Sequence, residues 1–311
     1  MKTITAIVFL SLRGPKGAEA ISWSSWDCFA TLAMTFLAVL LLYSNAYAFT
    51  ASGFSNPYGA VVDGKNGLIY ISNVNGELEA KDDNGFISRL KNDGTVDQLR
   101  FIDGASNDVV LHAPKGMAIM GNFLYVCDID ALRAFDLTTG KQLFDVNFGT
   151  LPKQSFYSVT VGPDGALYVS DAGVNTIYRI DLSKQHEVTL FTAGEDLGSP
   201  HGLIWYPGRQ VFVVNGSASG QVTTYDRSGK RQQMPAIFLK SLEGLDVDDR
   251  GNIYIASRDN GAVYRAAPTF ALFGYQLGLA GPAGVAYNRQ ATEVIVTSFS
   301  GNTVQSYPAV K

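Results

Sequence analysis

Apolar and polar positions alternate along most of the chain in short runs, broken by glycine, proline, asparagine and aspartate. The runs "GLIYISN" (67–73), "FLYVCD" (123–128), "ALYVSD" (166–171), "QVFVVN" (210–215), "NIYIAS" (252–257) and "EVIVTS" (293–298) are rich in tyrosine and β-branched residues. That composition and length predict buried β-strands. Each follows a second kind of run that opens on a glycine phrase: "NPYGAVV" at 56, "APKGMAI" at 113, "SPHGLIW" at 199, "SLEGLDV" at 241 and "GPAGVAY" at 281, with a degenerate copy, "SFYSVTV", at 155. Third runs follow in turn ("GFISRL", "ALRAFDL", "TIYRIDL", "QVTTYD", "GAVYRA", "TVQSYP"), and three units show a fourth, "TVDQLRFI", "KQLFDVNF" and "EVTLFTA".

The phrases align on Gly59, Gly116, Ser158, Gly202, Gly244 and Gly284, at spacings of 57, 42, 44, 42 and 40 residues. Four strands per unit at this period are the signature of a propeller blade. The expected fold is therefore all-β, a six-bladed β-propeller of four-stranded blades, preceded by an N-terminal signal segment. The last unit lacks a fourth strand of its own, and residues 49–56 are expected to supply it. The excess in the first spacing is an insertion, "NVNGELEAKDDNG" (73–85). It reads either as a solvated acidic loop or as a cap over the channel mouth.

Residues 28–43, "CFATLAMTFLAVLLLY", carry no charge and precede "SNAYA", which ends at Ala48. The small residues fit signal cleavage. The reading is an exported protein, periplasmic or secreted, of residues 49–311, with a retained N-terminal membrane anchor as the alternative. The formal net charge of the whole chain is −4, which gives no footprint for nucleic acid. After cleavage Cys127 is the one cysteine left, so no internal disulfide forms.

In a propeller the first strand of each blade lines the central channel, and the phrase begins that strand. The residues before the aligned positions should ring the mouth: Tyr58, Lys115, Tyr157, His201, Glu243 and Ala283. His201 and Glu243 stand on adjacent blades. Glu243 can orient His201 as a general base, and Lys115 can stabilise an oxyanion. The alternative for Lys115 is an ion pair with Glu243. Tyr58 and Tyr157 complete a substrate-binding ring, with Asp171 and Asn215 expected on rim loops.

The stretches "YISNVNGELEAKDDNGFISRLKNDGTV" (70–96) and "HAPKGMAIMGNFLYVCDIDALRAFDLTTGK" (112–141) resemble the SMP-30/gluconolactonase/LRE-like group of propellers, and the resemblance covers essentially 54–308. It implies a lactonase that holds one divalent cation, Ca²⁺ or Zn²⁺, at the channel mouth. The family's ligand positions fall on Tyr58 in the first blade, Tyr157 beside Ser158 in the third, His201 in the fourth and Glu243 in the fifth, and only Glu243 keeps a carboxylate. Ca²⁺ wants six to eight oxygens; Zn²⁺ can use His201 and Glu243 with a third ligand from Asp171 or Asn215. Two functions follow: hydrolysis of a lactone or small ester, or a non-catalytic propeller that binds a small-molecule ligand or a periplasmic protein.

Overall fold

The computed structural model describes residues 48–106, 108–232 and 237–310. The expected export segment falls outside the described residues except for Ala48. The rest is the six-bladed propeller that the repeat predicts, with six four-stranded antiparallel sheets. Blade one is Pro57–Asp63, Leu68–Asn73, Phe86–Lys91 and Val96–Asp103; blade five is Leu242–Val247, Ile253–Ser257, Ala262–Ala266 and Leu272–Leu277. The first strands of blades two, three, four and six are Pro114–Met120, Phe156–Val161, Pro200–Tyr206 and Pro282–Asn288.

Closure is done by the start of the described chain. Phe49–Ser52 pairs antiparallel with Thr303–Pro308 and becomes the outermost strand of blade six. The first and last strands of the propeller are thus clasped together, and a ring closed this way leaves only the short outer strands as edges.

The burial pattern explains the composition of each strand. Second strands such as Leu167–Asp171 and Ile253–Ser257 are buried at every position, because neighbouring blades cover both of their faces. Outer strands such as Val96–Asp103 are mostly exposed. Packing between blades is apolar: Ile204, Val213, Leu245, Ile255 and Phe270 join blades four and five.

The glycine phrase has a structural meaning that periodicity alone does not show. In every blade the register between first and second strands slips at the phrase, for instance between Pro57 and Ala60 and between Pro200 and Leu203. Such a bulge adds one residue to the inner strand and re-aims a side chain. The glycine itself is required by close approach. A Cβ on Gly202 would stand 2.6 Å from the Glu243 carbonyl oxygen, and one on Gly284 would stand 2.3 Å from that of Tyr58. These contacts link each blade to the next, the second of them across the closure point.

Candidate functional site

The bulges aim the residues before the glycines at the channel axis, where they meet. Tyr58 donates its hydroxyl to Glu243 Oε2 at 2.5 Å. His201 Nδ1 lies 2.9 Å from the same oxygen. The Tyr157 ring stacks on His201 with centroids 3.7 Å apart and planes inclined by 12°, and the Tyr58 ring stands 5.9 Å from that of Tyr157. Blades one, three, four and five thus contribute to one cluster that crosses the channel. The expected ring is a plug: Tyr58 and Glu243 are 4% and 2% exposed.

Below the plug the channel holds a cavity of about 480 Å³. Tyr58, Tyr157, His201 and Glu243 line one end. Asp246 and Tyr287, late in their inner strands, and Arg289, just past the end of one, line it too, at the other end. The volume suits a small organic molecule.

Electrostatics follow from this packing. Burial, then the Glu243 charge, pushes the Tyr58 phenol well above its ordinary pKa, so it stays a neutral donor. Burial, then the Glu79 and Glu243 charges, pushes Tyr157 up to about 12. Arg258 Nη2 stands 3.2 Å from Glu243 Oε1, yet Nη2 and Nε make no hydrogen bond among the described residues. The contact is a charge pairing out of hydrogen-bond alignment, and it balances the buried carboxylate. The Arg258 guanidinium also lies 4.9 Å from the Phe299 ring centroid.

Arg258 was not legible as a site residue from the phrase alone. Its signal lies one position after the second strands, where Val74, Ile129, Ala172, Ser217, Arg258 and Phe299 fall in register. Val74, Ile129 and Phe299 pack with Tyr58 and Tyr157, so this column forms a second layer over the plug.

Lys115 is fully buried but does not pair with Glu243. Its Nζ donates to the Leu78 carbonyl at 2.9 Å, lies 3.5 Å from Glu79 Oε1 and 4.9 Å from the Tyr157 ring centroid. Leu78 and Glu79 belong to the insertion, which therefore reaches over the channel end as a cap. Burial lowers the Lys115 pKa, against the opposing pull of Glu79 and Asp128.

Asp171 and Asn215 are not on an open rim. Both are fully buried. The Asp171 carboxylate accepts from the backbone N–H groups of Gln154, Ser155 and Gly173 at 2.9–3.0 Å. Asn215 falls one register position earlier than Asp171. It accepts from Gly202 N at 2.7 Å and donates to the Glu243 carbonyl at 2.6 Å, stapling blade four to blade five. Ser72 makes the same staple between blades one and two, and Thr297 between blades six and one.

The donor set does not fit a divalent cation. Glu243 is the one carboxylate in the plug, one of its oxygens is shared by Tyr58 and His201, and the other faces a guanidinium. A hard cation wants six to eight oxygens, and a dication would share its carboxylate with Arg258. Zn²⁺ needs a third protein ligand, and Asp171 and Asn215 are spent on backbone groups. No cluster of three histidine, cysteine or acidic side chains suited to a metal occurs among the described residues.

The family assignment rests on a match over residues 93–300 to the model described as SMP-30/gluconolactonase/LRE-like region. The chain belongs to this family. Comparison with curated proteins gives no match. Among solved structures, virginiamycin B lyase from Staphylococcus aureus is similar at 12% identity and a TM-score of 0.62, over 84% of this chain and 99% of that one. A catalytically inactive form of that lyase, with one histidine changed to alanine and with quinupristin, matches at 14% identity and a TM-score of 0.58, over 84% and 99%. A candidate gluconolactonase matches at 16% identity and a TM-score of 0.65, over 84% and 91%. At these identities the likeness is one of fold.

Proposed function

We propose that this family member acts on a lactone or small ester held in the channel, with His201 as the general base. One observation carries the reading: Glu243 holds His201 Nδ1 at 2.9 Å, His201 lines the cavity, and its Nε2 has no partner among the described residues. A carboxylate on Nδ1–H fixes the tautomer that leaves the Nε2 lone pair free. Nε2 then takes a proton from water as the water oxygen adds to the ester carbonyl. The same proton passes to the departing alkoxide when the C–O bond breaks. Tyr58 and Arg258 hold the Glu243 carboxylate in place, and the stacked Tyr157 ring fixes the imidazole plane. Lys115 is held by Leu78 and Glu79, so it takes no part in this step. Family membership supports the substrate class. Export with cleavage near Ala48 belongs to the same proposal and rests on the sequence.

The test is a screen of γ- and δ-lactones without added metal, wild type against His201→Gln. General-base loss lowers turnover by about 10²–10⁴-fold. Turnover unchanged in a folded His201→Gln protein would sink the base assignment. Absence of turnover on every lactone would favour the binding-module reading, which the saturated, plug-like bonding of Glu243 supports.

A further inference from the structure

The insertion of blade one makes contacts that the reading above does not use. Its residues 74–85 run from the second to the third strand of blade one and reach over blades two and three. The base is tied by Asn75 Nδ2 to the Asn84 carbonyl at 2.9 Å, by Asp83 N to His112 Nδ1 at 3.1 Å and by Leu111 N to Asp83 Oδ1 at 3.0 Å. Nearer the tip the polar ties change character. Glu79 Oε1 accepts from Ser155 Oγ at 2.8 Å and lies 3.5 Å from Lys115 Nζ, while Lys81 pairs with Asp130 at 2.9 Å in the open.

We propose that Lys115 and Ser155 form an anion site for a ligand carboxylate, and that Glu79 is its built-in stand-in. The site shares no atom with the His201–Glu243 pair, so it goes beyond the reading above. The Glu79 side chain is 51% exposed and that of Lys115 is 0% exposed: the cation is built in and its anion hangs from a loop. Asp128, the other carboxylate near Lys115, is committed to Arg133 at 2.6 Å and to the backbone N–H groups of His112 and Ala113. Swinging Glu79 out therefore leaves a buried ammonium without a counter-charge, which is costly. A ligand carboxylate restores both the charge and the hydroxyl bond. One buried ammonium and one hydroxyl match the single charge of a carboxylate, whereas a doubly charged phosphate would keep one buried charge unpaired.

The probe is benzoate, with benzamide as its neutral isostere, titrated calorimetrically into the full chain. Thermal unfolding of each variant confirms that it is folded. Glu79→Gln removes the competing charge and should tighten benzoate binding by about tenfold with benzamide unchanged. Ser155→Ala should weaken benzoate by about fivefold, and Lys115→Met should abolish it. Should Lys115→Met not fold, the Glu79→Gln and Ser155→Ala pair decides alone. Equal binding of benzoate and benzamide, or no tightening in Glu79→Gln, overturns the site and leaves the insertion as a structural latch. Benzoate binding by a wild-type protein that turns over no lactone would set the base assignment aside and leave this site standing, and turnover lost in His201→Gln with benzoate binding unchanged would leave both standing.

Discussion

Tyr58 and Glu243 are 185 residues apart in sequence and 2.5 Å apart in space. The bond joins blade one to blade five over the channel and makes one carboxylate the meeting point of a phenol, an imidazole and a guanidinium. Tyr58→Phe takes away one donor from a buried carboxylate and should cost about 1–3 kcal/mol of stability. Glu243→Ala also leaves Arg258 without its counter-charge and should cost about 3–5 kcal/mol. Urea unfolding of both variants checks the order; equal effects would mean that Arg258 finds another partner.

The inter-blade staples should behave as a set. Asn215→Ala and Thr297→Ala each strand a buried N–H and a buried carbonyl, so each should cost about 2 kcal/mol or more. Ser72, Asn215 and Thr297 do the same work at different joints, so double variants should add nearly independently. Denaturant midpoints of the single and double variants decide this.

Cys127 stands at the staple position of blade two, in register with Ser72. It is fully buried, and burial pushes its thiol pKa up. The thiol should not react with iodoacetamide in the native protein at neutral pH and should react fully in denaturant. Rapid native labelling would contradict the packing described. Cys127→Ser supplies the hydroxyl that Ser72 uses and should leave the protein folded.

Asp246 carries the pH prediction. Burial raises its carboxyl to about 6, against two backbone N–H bonds from Tyr287 and Val247 at 2.7 Å. A raised carboxyl pKa means that the folded state binds the proton more tightly than the unfolded state. Stability from this group is therefore greatest at low pH and is lost as pH rises from about 4 to about 6. Asp246 lines the cavity, so water screens it and the loss should be about 1–2 kcal/mol. Subtracting the unfolding free energies of Asp246→Asn from wild type across that window isolates the effect. A flat difference would show that Asp246 titrates normally.

How much of this was legible beforehand depends on the range of the interaction. The blades were, because strand periodicity and the phrase are local and recur six times, five of them with the glycine. The axial residues were too, since one register position generates Tyr58, Lys115, Tyr157, His201 and Glu243. Asp171 and Asn215 each end an apolar run, which points both to rim loops, yet they differ by one register position. In a strand that shift turns a loop clamp into an inter-blade staple. Arg258 was missed because its importance comes only from facing Glu243 and Phe299.

The sequence by itself determined the repeat, the strand order, the closure by the segment after Ala48 and the identity of the groups brought to the axis. Those follow from hydrophobic period and from a glycine that admits a neighbouring carbonyl. Only the tertiary structure decided that the ring is a plug, that Glu243 is shared three ways, and that Lys115 turns to Glu79. Those outcomes depend on which side chains reach across the channel and which charges find each other under burial, and no local pattern encodes them.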